Sequence, residues 1–263
     1  MKNMIRNILG RAGYQIHRSQ PPFAPFVRSF TFTGTPFNFW VANPDAAWWY
    51  REDGWEKAGE FKELASLVKP GDRILEIGSH HGFTGLVCAT LVGPEGFVLG
   101  IEAHPQNAMI GTAQVGLNPS LRNLKFINAA GADKEGRVQI AAEHNSSICS
   151  GSSTSVEVLA TTGDALDKAH GPFNVLKIDV EGFESMVLKG CGEILRRRPK
   201  IAIEVHLDSL AKYGTSTGEL FGLLAIENYG GTMVIRPETE TVKPFAMSEI
   251  PASGIVNLFL TPC

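Results

Sequence analysis

The amino-acid sequence predicts an α/β fold built on a parallel sheet, and three short apolar runs carry that reading. They are Ile74, Leu75 and Ile77 (interrupted only by Glu76), then Phe97 to Glu102, then Val175 to Asp179. Each ends at turn residues, as a strand buried on both faces does. The first run leads into Gly78, Gly82 and Gly85, and Phe83 to Val92 is mostly apolar and reads as a helix. A strand, a glycine-rich turn and a helix start form a ligand cradle. Glycines admit close backbone approach, and the free N–H groups of the helix start face the ligand.

The spacing of the turn restricts the ligand. A dinucleotide turn needs glycines in the order G-x-G-x-x-G. Counting from Gly78, the second and third positions are His80 and Phe83, so a pyrophosphate has no seat. What remains is a G-x-x-x-G turn preceded by Glu76, with a second acid, Glu102, closing the next run. A carboxylate at the end of the second strand suits the two ribose hydroxyls of a nucleoside. A nucleoside ligand without phosphates fits, and S-adenosylmethionine is one. The small residues Ala129-Ala-Gly131, at the end of the strand Leu124 to Asn128, leave room for a flat base. The candidate cofactor contacts are therefore Glu76, Gly78, Ser79, His80, Gly82, Thr84, Glu102, Ala103, Ala130 and Gly131.

Composition excludes several classes. The chain has 263 residues, 43% hydrophobic and 19% charged, as expected of one large globular domain with an extension. A net charge of −3 supplies no global basic footprint, so nucleic acid is not expected as a partner. The four cysteines form no C-x-x-C pair, which argues against a disulfide framework or zinc site and fits a reducing, cytoplasmic location. No apolar stretch approaches membrane-spanning length.

The organisation expected is an N-terminal extension over residues 1–60 and a cofactor-binding domain over 61–263. Within Asn3 to Ala12, Met4, Ile5, Ile8 and Leu9 share a helical face with basic residues elsewhere. Such a face would make weak contact with an anionic membrane surface, although short helices more often pack on their own protein or a partner. Ser19 to Pro25 reads as a linker. Phe30 to Thr33 and Phe37 to Val41 read as a β-hairpin around Gly34. All four tryptophans, Trp40, Trp48, Trp49 and Trp55, fall within sixteen residues. Most of them are expected to be core, while the segment from Phe37 to Trp55 is expected to cover the carboxyl edge of the sheet and help form an acceptor pocket. Trp55 to Val68 reads as a helix, and Pro105 opens another. Val138 to Ala141 and Val156 to Leu159 read as two strands flanking the polar loop 144–154, a candidate site cover. Later come a strand ending in Asp179, a helix from Phe183, a strand from Lys200 to His206, a helix from Thr217 and two final strands.

Taken together, Ile-Leu-Glu-Ile-Gly-x-x-x-Gly82, Gly-Ile-Glu-Ala-His-Pro105, Asn-Ala-Ala-Gly-Ala-Asp133, Lys-Ile-Asp-Val-Glu-Gly-Phe-Glu184 and Ile-Glu-Val-His206 resemble the FkbM-type S-adenosylmethionine-dependent methyltransferases. The likeness spans about residues 30 to 260, and Lys-Ile-Asp-Val-Glu-Gly is its most specific piece. One departure is the pair His80-His81, where the family often has Ala-Asn. The resemblance implies the class I methyltransferase fold, a Rossmann-like seven-stranded sheet with helices on both faces and the last strand antiparallel. It also implies O-methylation of a hydroxyl on a sugar, glycolipid or secondary metabolite.

The chemistry can be argued from the residues as well. A hydroxyl is a poor nucleophile at neutral pH and needs a positioned base or a metal. Ligands of an open parallel sheet lie at the carboxyl ends of its strands, where Asp179, Glu181, Glu204 and His206 fall. These four are the candidate catalytic residues. His206 suits the base by its ordinary pKa, Asp179 is a second candidate for base or acceptor contact, and Glu181 is expected to support the turn. Asp179, Glu204 and His206 are a chemically suitable metal trio, but no compact ligand motif demands a metal and none is expected. The acceptor expected is a small molecule or glycan. A nucleotide-cofactor oxidoreductase lacks its turn here, and a non-catalytic methyltransferase-like binding protein would be expected to lose Glu76 and Glu102. The sequence leaves the oligomeric state open.

Overall fold

The computed structural model describes residues 22–50, 59–141, 155–236 and 241–263. The proposed N-terminal helix, the cover loop 144–154, Arg51, Glu52 and Trp55 lie outside them. The chain enters as a hairpin of β1 (Phe26–Phe32) and β2 (Thr35–Val41), paired antiparallel. Thr33 and Gly34 both take positive φ at its turn, which matches the right-handed twist of the flanking strands. Alternation turns Phe30, Phe32, Phe37, Phe39 and Val41 inward. Helix α1 (Pro44–Trp49) follows, its start fixed by Asn43, whose side chain accepts the N–H of Ala46, and by Pro44 in the first turn. Helix α2 (Gly59–Leu67) leads into the sheet.

Next come β3 (Arg73–Ile77), α3 (Phe83–Val92), β4 (Phe97–Glu102), α4 (Pro105–Leu117) and β5 (Leu124–Asn128). A small separate sheet, in the order β6-β8-β7, is made by β6 (Ala130–Gly131), β7 (Gly136–Ala141) and β8 (Ser155–Thr161). The chain then runs α5 (Gly163–His170), β9 (Val175–Ile178), α6 (Glu184–Lys189), α7 (Gly192–Arg196), β10 (Lys200–His206), α8 (Leu207–Leu210), α9 (Thr217–Leu224), β11 (Tyr229–Arg236), β12 (Val242–Pro244) and β13 (Ile255–Pro262).

The main sheet has the order β12-β11-β13-β10-β9-β3-β4-β5. From β5 to β10 all neighbours are parallel, and the last strand, β13, inserts antiparallel between β10 and β11. The expected seven strands are present, and β12 is an eighth at the edge. Its three residues, ending in Pro244, carry no strand pattern; a proline is tolerated there because an edge strand has unused N–H positions.

Strand alternation divides the core. Leu75, Ile77, Leu99, Ile101, Leu176 and Ile178 face α5, α6, α7 and α9 on one side. Ile74, Val98, Phe126 and Val175 face α2, α3 and the hairpin on the other. The hairpin phenylalanines pack directly on Phe83 of α3, with Phe30, Phe37 and Phe39 centroids 5.0, 5.7 and 5.2 Å from its ring. The hairpin is therefore built into the core on this face of the sheet. Gln114 and Asn118 of α4 seal the join by bonding the backbone of Trp40 and Asn38.

Candidate active site

The chain leaves β3 for β4 and β5 on one side, then returns to lay β9 on the other, so the sheet order reverses between β3 and β9. A crevice forms at the carboxyl ends of strands that part in this way. The turn after β3 and the turn after β9 meet there. Gly78 has φ +88, and a Cβ on it would lie 1.8 Å from the carbonyl oxygen of Asp179. Only glycine lets these two backbones touch.

On the β3 side, the N–H groups of Gly78 and Ser79 donate to the carbonyl of Ile101 at 2.9 and 3.1 Å. His80 takes the left-handed conformation, φ 48, uncommon for a residue with a side chain. Its N–H donates to Glu102 Oε2 at 2.8 Å, while the N–H of His104 donates to Glu102 Oε1 at 2.8 Å. Burial pushes the Glu102 carboxyl up, and these N–H groups together with Asn107 pull it part of the way back. With three donors on its two oxygens, the carboxylate keeps room for one more. The imidazole of His80 stacks on that of His81, centroids 3.9 Å apart, and its Nδ1 lies 3.2 Å from the Tyr50 hydroxyl. Ser79 Oγ is buried without a hydrogen-bond partner. An orphaned hydroxyl on the turn and a carboxylate with an open lone pair beside it fit a polar, phosphate-free nucleoside.

Three other expected contacts are placed differently. Glu76 is wholly buried under α3, and a Cβ on Gly85 would lie 2.8 Å from its Oε2. Neither carboxylate oxygen has a hydrogen-bond partner, and burial pushes the group up to about 7, with Lys177 opposing. Gly131 sits in β6, where the space a Cβ would take is filled by Ile77, Val187 and Ile101. Its smallness, and that of Ala130 in the small cluster with Ile140 and Val158, is used in packing. Thr84 lies in the first turn of α3, half-buried, and Ala103 follows Glu102 directly, its carbonyl accepting from Asn128.

The β9 and β10 side holds the charged groups. Lys177, buried in β9, reaches Asp179 Oδ2 at 3.1 Å. Burial works against its charge, but Asp179 and Glu76 outweigh that and hold the ammonium above the usual lysine range. His206, at the end of β10, is surrounded by acids. Its Nδ1 lies 2.8 Å from Glu184 Oε1, and its Nε2 lies 3.3 Å from Glu181 Oε2 and 3.5 Å from Glu204 Oε1. Burial pulls the imidazolium down, but the hydrogen bond to Glu184 and the charges of Asp179 and Glu181 raise it to about 9.

All four expected catalytic residues are thus brought together. An imidazole titrating near 9 is protonated at neutral pH, so the ordinary pKa that suited His206 to the base role is not the one it has here. Glu181, at φ 55 and 37% exposed, points a carboxylate outward instead of only supporting the turn. Asp179, Glu181 and His206 each offer one ligand atom, all within 4.8 Å of one another. The metal-competent trio includes Glu181 in place of the Glu204 of the chemically suitable trio read from the sequence.

Sequence reasoning missed two residues. Glu184 is fully buried, and its Oε1 accepts both the Gly182 N–H at 2.9 Å and the His206 contact. It reads in sequence only as an ordinary first-turn acid. Lys177 had a visible signal, a charge inside an apolar strand. The tryptophans overturn the expectation of a core role for most of them. Trp48 is 63% and Trp49 46% exposed, and Trp49 meets His80 edge-on at 5.1 Å. Tyr50 instead does the packing, stacked on Phe83 at 4.5 Å.

A doubly wound sheet with this strand order, an antiparallel last strand and an acid holding the turn after its first strand defines a class I S-adenosylmethionine-dependent methyltransferase. The family model described as the methyltransferase FkbM domain matches residues 76–230, and the chain belongs to that family. No curated protein matches the chain. Among solved structures, the chain is similar to a fibrillarin of Aeropyrum pernix with natively bound S-adenosyl-L-methionine, at 14% identity and TM-score 0.47, over 88% of this chain and 81% of that one. It is similar to a precorrin-6y C5,15-methyltransferase of Geobacter metallireducens at 13% identity and TM-score 0.45, over 77% and 85%. It is also similar to an S-adenosylmethionine-dependent O-methyltransferase of Thermotoga maritima at 13% identity and TM-score 0.43, over 90% and 78%. At such identities none of the three speaks for the acceptor. Among the described residues, no helix is long and apolar enough to cross a membrane.

Proposed function

We propose that the protein methylates a hydroxyl group on a small-molecule or glycan acceptor. The observation that carries this reading is the contact between the Gly78 turn and Asp179, which sets the cofactor seat against a group of carboxylates at the ends of β9 and β10. When bound, S-adenosylmethionine supplies a methyl group already activated by its sulfonium. Ser79, His80 and Glu102 hold the nucleoside, with Glu102 on the ribose hydroxyls. The chain's remaining task is to align an acceptor oxygen and remove its proton. Asp179 is tied to Lys177 and serves best as an orienting acceptor of a hydrogen bond. Glu181 is the most exposed carboxylate beside His206 and takes the proton. His206, fixed from behind by Glu184, positions Glu181 and steadies its charge. The exposed indole of Trp49 beside His80 offers a face for an acceptor ring.

Transfer of a labelled methyl group to a panel of polyols and glycans, with structured RNA alongside, tests the reading. Transfer to a hydroxylated small molecule that drops at least a hundredfold in Glu181→Gln supports it. Transfer to RNA alone, or full activity in Glu181→Gln, defeats it.

A further inference from the structure

We propose that Asp179, Glu181 and His206 form a binding site for a divalent cation of the Mg²⁺ or Mn²⁺ class, which chelates the acceptor through a pair of neighbouring hydroxyls. Glu184 Oε1 takes the N–H of Gly182 at 2.9 Å and sits 2.8 Å from His206 Nδ1. A carboxylate only accepts, so Nδ1 carries the proton. Nε2 is then the ring nitrogen directed away from this anchor, toward Glu181 and Glu204; a cation bound there takes the place of the proton that Nε2 otherwise carries at neutral pH. A buried carboxylate fixing one nitrogen so that the other presents outward is the arrangement found behind metal-ligating histidines.

The spacing agrees. One ligand atom each from Asp179, Glu181 and His206 falls within 4.8 Å of the others. Ligands about 2.1 Å from an octahedral ion lie about 3 Å apart when adjacent and about 4.2 Å when opposite, so modest movement closes them on a cation. Charge agrees too. Asp179, Glu181, Glu184 and Glu204 gather around His206, and Lys177 is an opposing ammonium bound to one of them. A doubly charged cation offsets such an excess. Two carboxylate oxygens and one imidazole suit Mg²⁺ or Mn²⁺, with Zn²⁺ as a softer competitor.

Three protein ligands leave open positions on a six-coordinate ion. Two adjacent hydroxyls of an acceptor fill them as a chelate, and the ion lowers the pKa of the hydroxyl it holds. That consequence rests on the O-methylation reading above; the cation site itself does not. The proton leaving the hydroxyl passes to the second oxygen of Glu181, which the ion does not use.

The test is binding of Mn²⁺ to the chelator-treated full chain, followed by the loss of the free-ion paramagnetic resonance signal. The expected result is one site per chain, lost in Asp179→Asn and His206→Ala and weakened roughly 10- to 100-fold in Glu184→Gln. Glu181→Gln, which alters an exposed side chain, covers the case in which the buried variants fail to fold. S-adenosylhomocysteine binding in the same samples reports whether the cofactor side stays intact. No binding at millimolar Mn²⁺, or binding undiminished in folded Asp179→Asn and Glu181→Gln, overturns the site. Hydroxyl methylation that survives chelation, with no Mn²⁺ bound, removes the cation and leaves the O-methylation reading standing. Mn²⁺ binding with RNA as the sole acceptor does the reverse.

Discussion

Replacing Glu184 by Gln keeps the shape of the side chain and removes its charge, which isolates what the buried carboxylate does for His206. The His206 imidazolium is raised from 6.5 to about 9, and a rise of that size corresponds to about 3 kcal/mol of preferential stabilisation of the charged form in the folded protein. Its side chain is only 10% exposed, so solvent screens little of this. Glu184 supplies the hydrogen bond and part of the charge, with Asp179 and Glu181 supplying the rest, which puts its share at roughly 1.5 kcal/mol. The folded-state pKa lies above the ordinary one, so this stability is fully present below pH 6.5 and is lost as pH rises through about 9. In chelator-treated protein, Glu184→Gln should lower the melting temperature by about 3–6 °C at pH 6.5. The difference from wild type should shrink toward zero by about pH 9.5. Nuclear magnetic resonance titration of the His206 ring should show its midpoint moving down by about one unit. A melting deficit that is the same across this pH range, or a His206 midpoint unchanged in the variant, would refute the charge argument and leave Glu184 a packing residue.

Three further outcomes follow from the same geometry. Glu102→Gln should cost about 1–3 kcal/mol of S-adenosylhomocysteine affinity by calorimetry, and unchanged affinity in a folded variant removes Glu102 from the ribose. Trp49→Ala should raise the acceptor Michaelis constant while stability changes by less than about 0.5 kcal/mol, because the indole is 46% exposed; a loss of about 3–5 kcal/mol would mark it as core after all. Glu76 has its folded-state pKa raised to about 7, so its ionisation penalises the fold increasingly as pH rises from 4.5 through 7. Glu76→Gln should therefore be more stable relative to wild type at pH 8 than at pH 4.5, by about 3 kcal/mol, and equal melting differences at the two pH values would contradict its buried, unpartnered state.

The strands were legible because short apolar runs between turns have few alternatives. Ile74 to Ile77, Phe97 to Glu102 and Val175 to Ile178 all lie where the runs place them. The hairpin was legible because Phe30, Phe32, Phe37 and Phe39 alternate. Strand β12 was not, since Val242-Lys-Pro244 pairs only because β11 presents an edge. At the site, strand-end acids announced themselves by position. Their roles did not, because the charge state of His206 depends on carboxylates from two chain segments, Asp179 to Glu184 and β10, converging on one ring. The tryptophan cluster misled for a related reason. Composition marks a segment as aromatic, but it cannot say that Tyr50 would take the place on Phe83 and leave Trp48 and Trp49 outside.

The central claim is that transfer takes place where the Gly78 turn meets the carboxylates of β9 and β10. A crystal structure with S-adenosylhomocysteine tests it most directly. The ribose hydroxyls should lie on Glu102, with the sulfur facing Asp179 and Glu181 across the crevice between β3 and β9. A nucleoside seated away from Glu102, or a sulfur directed away from the Asp179 side, would contradict it.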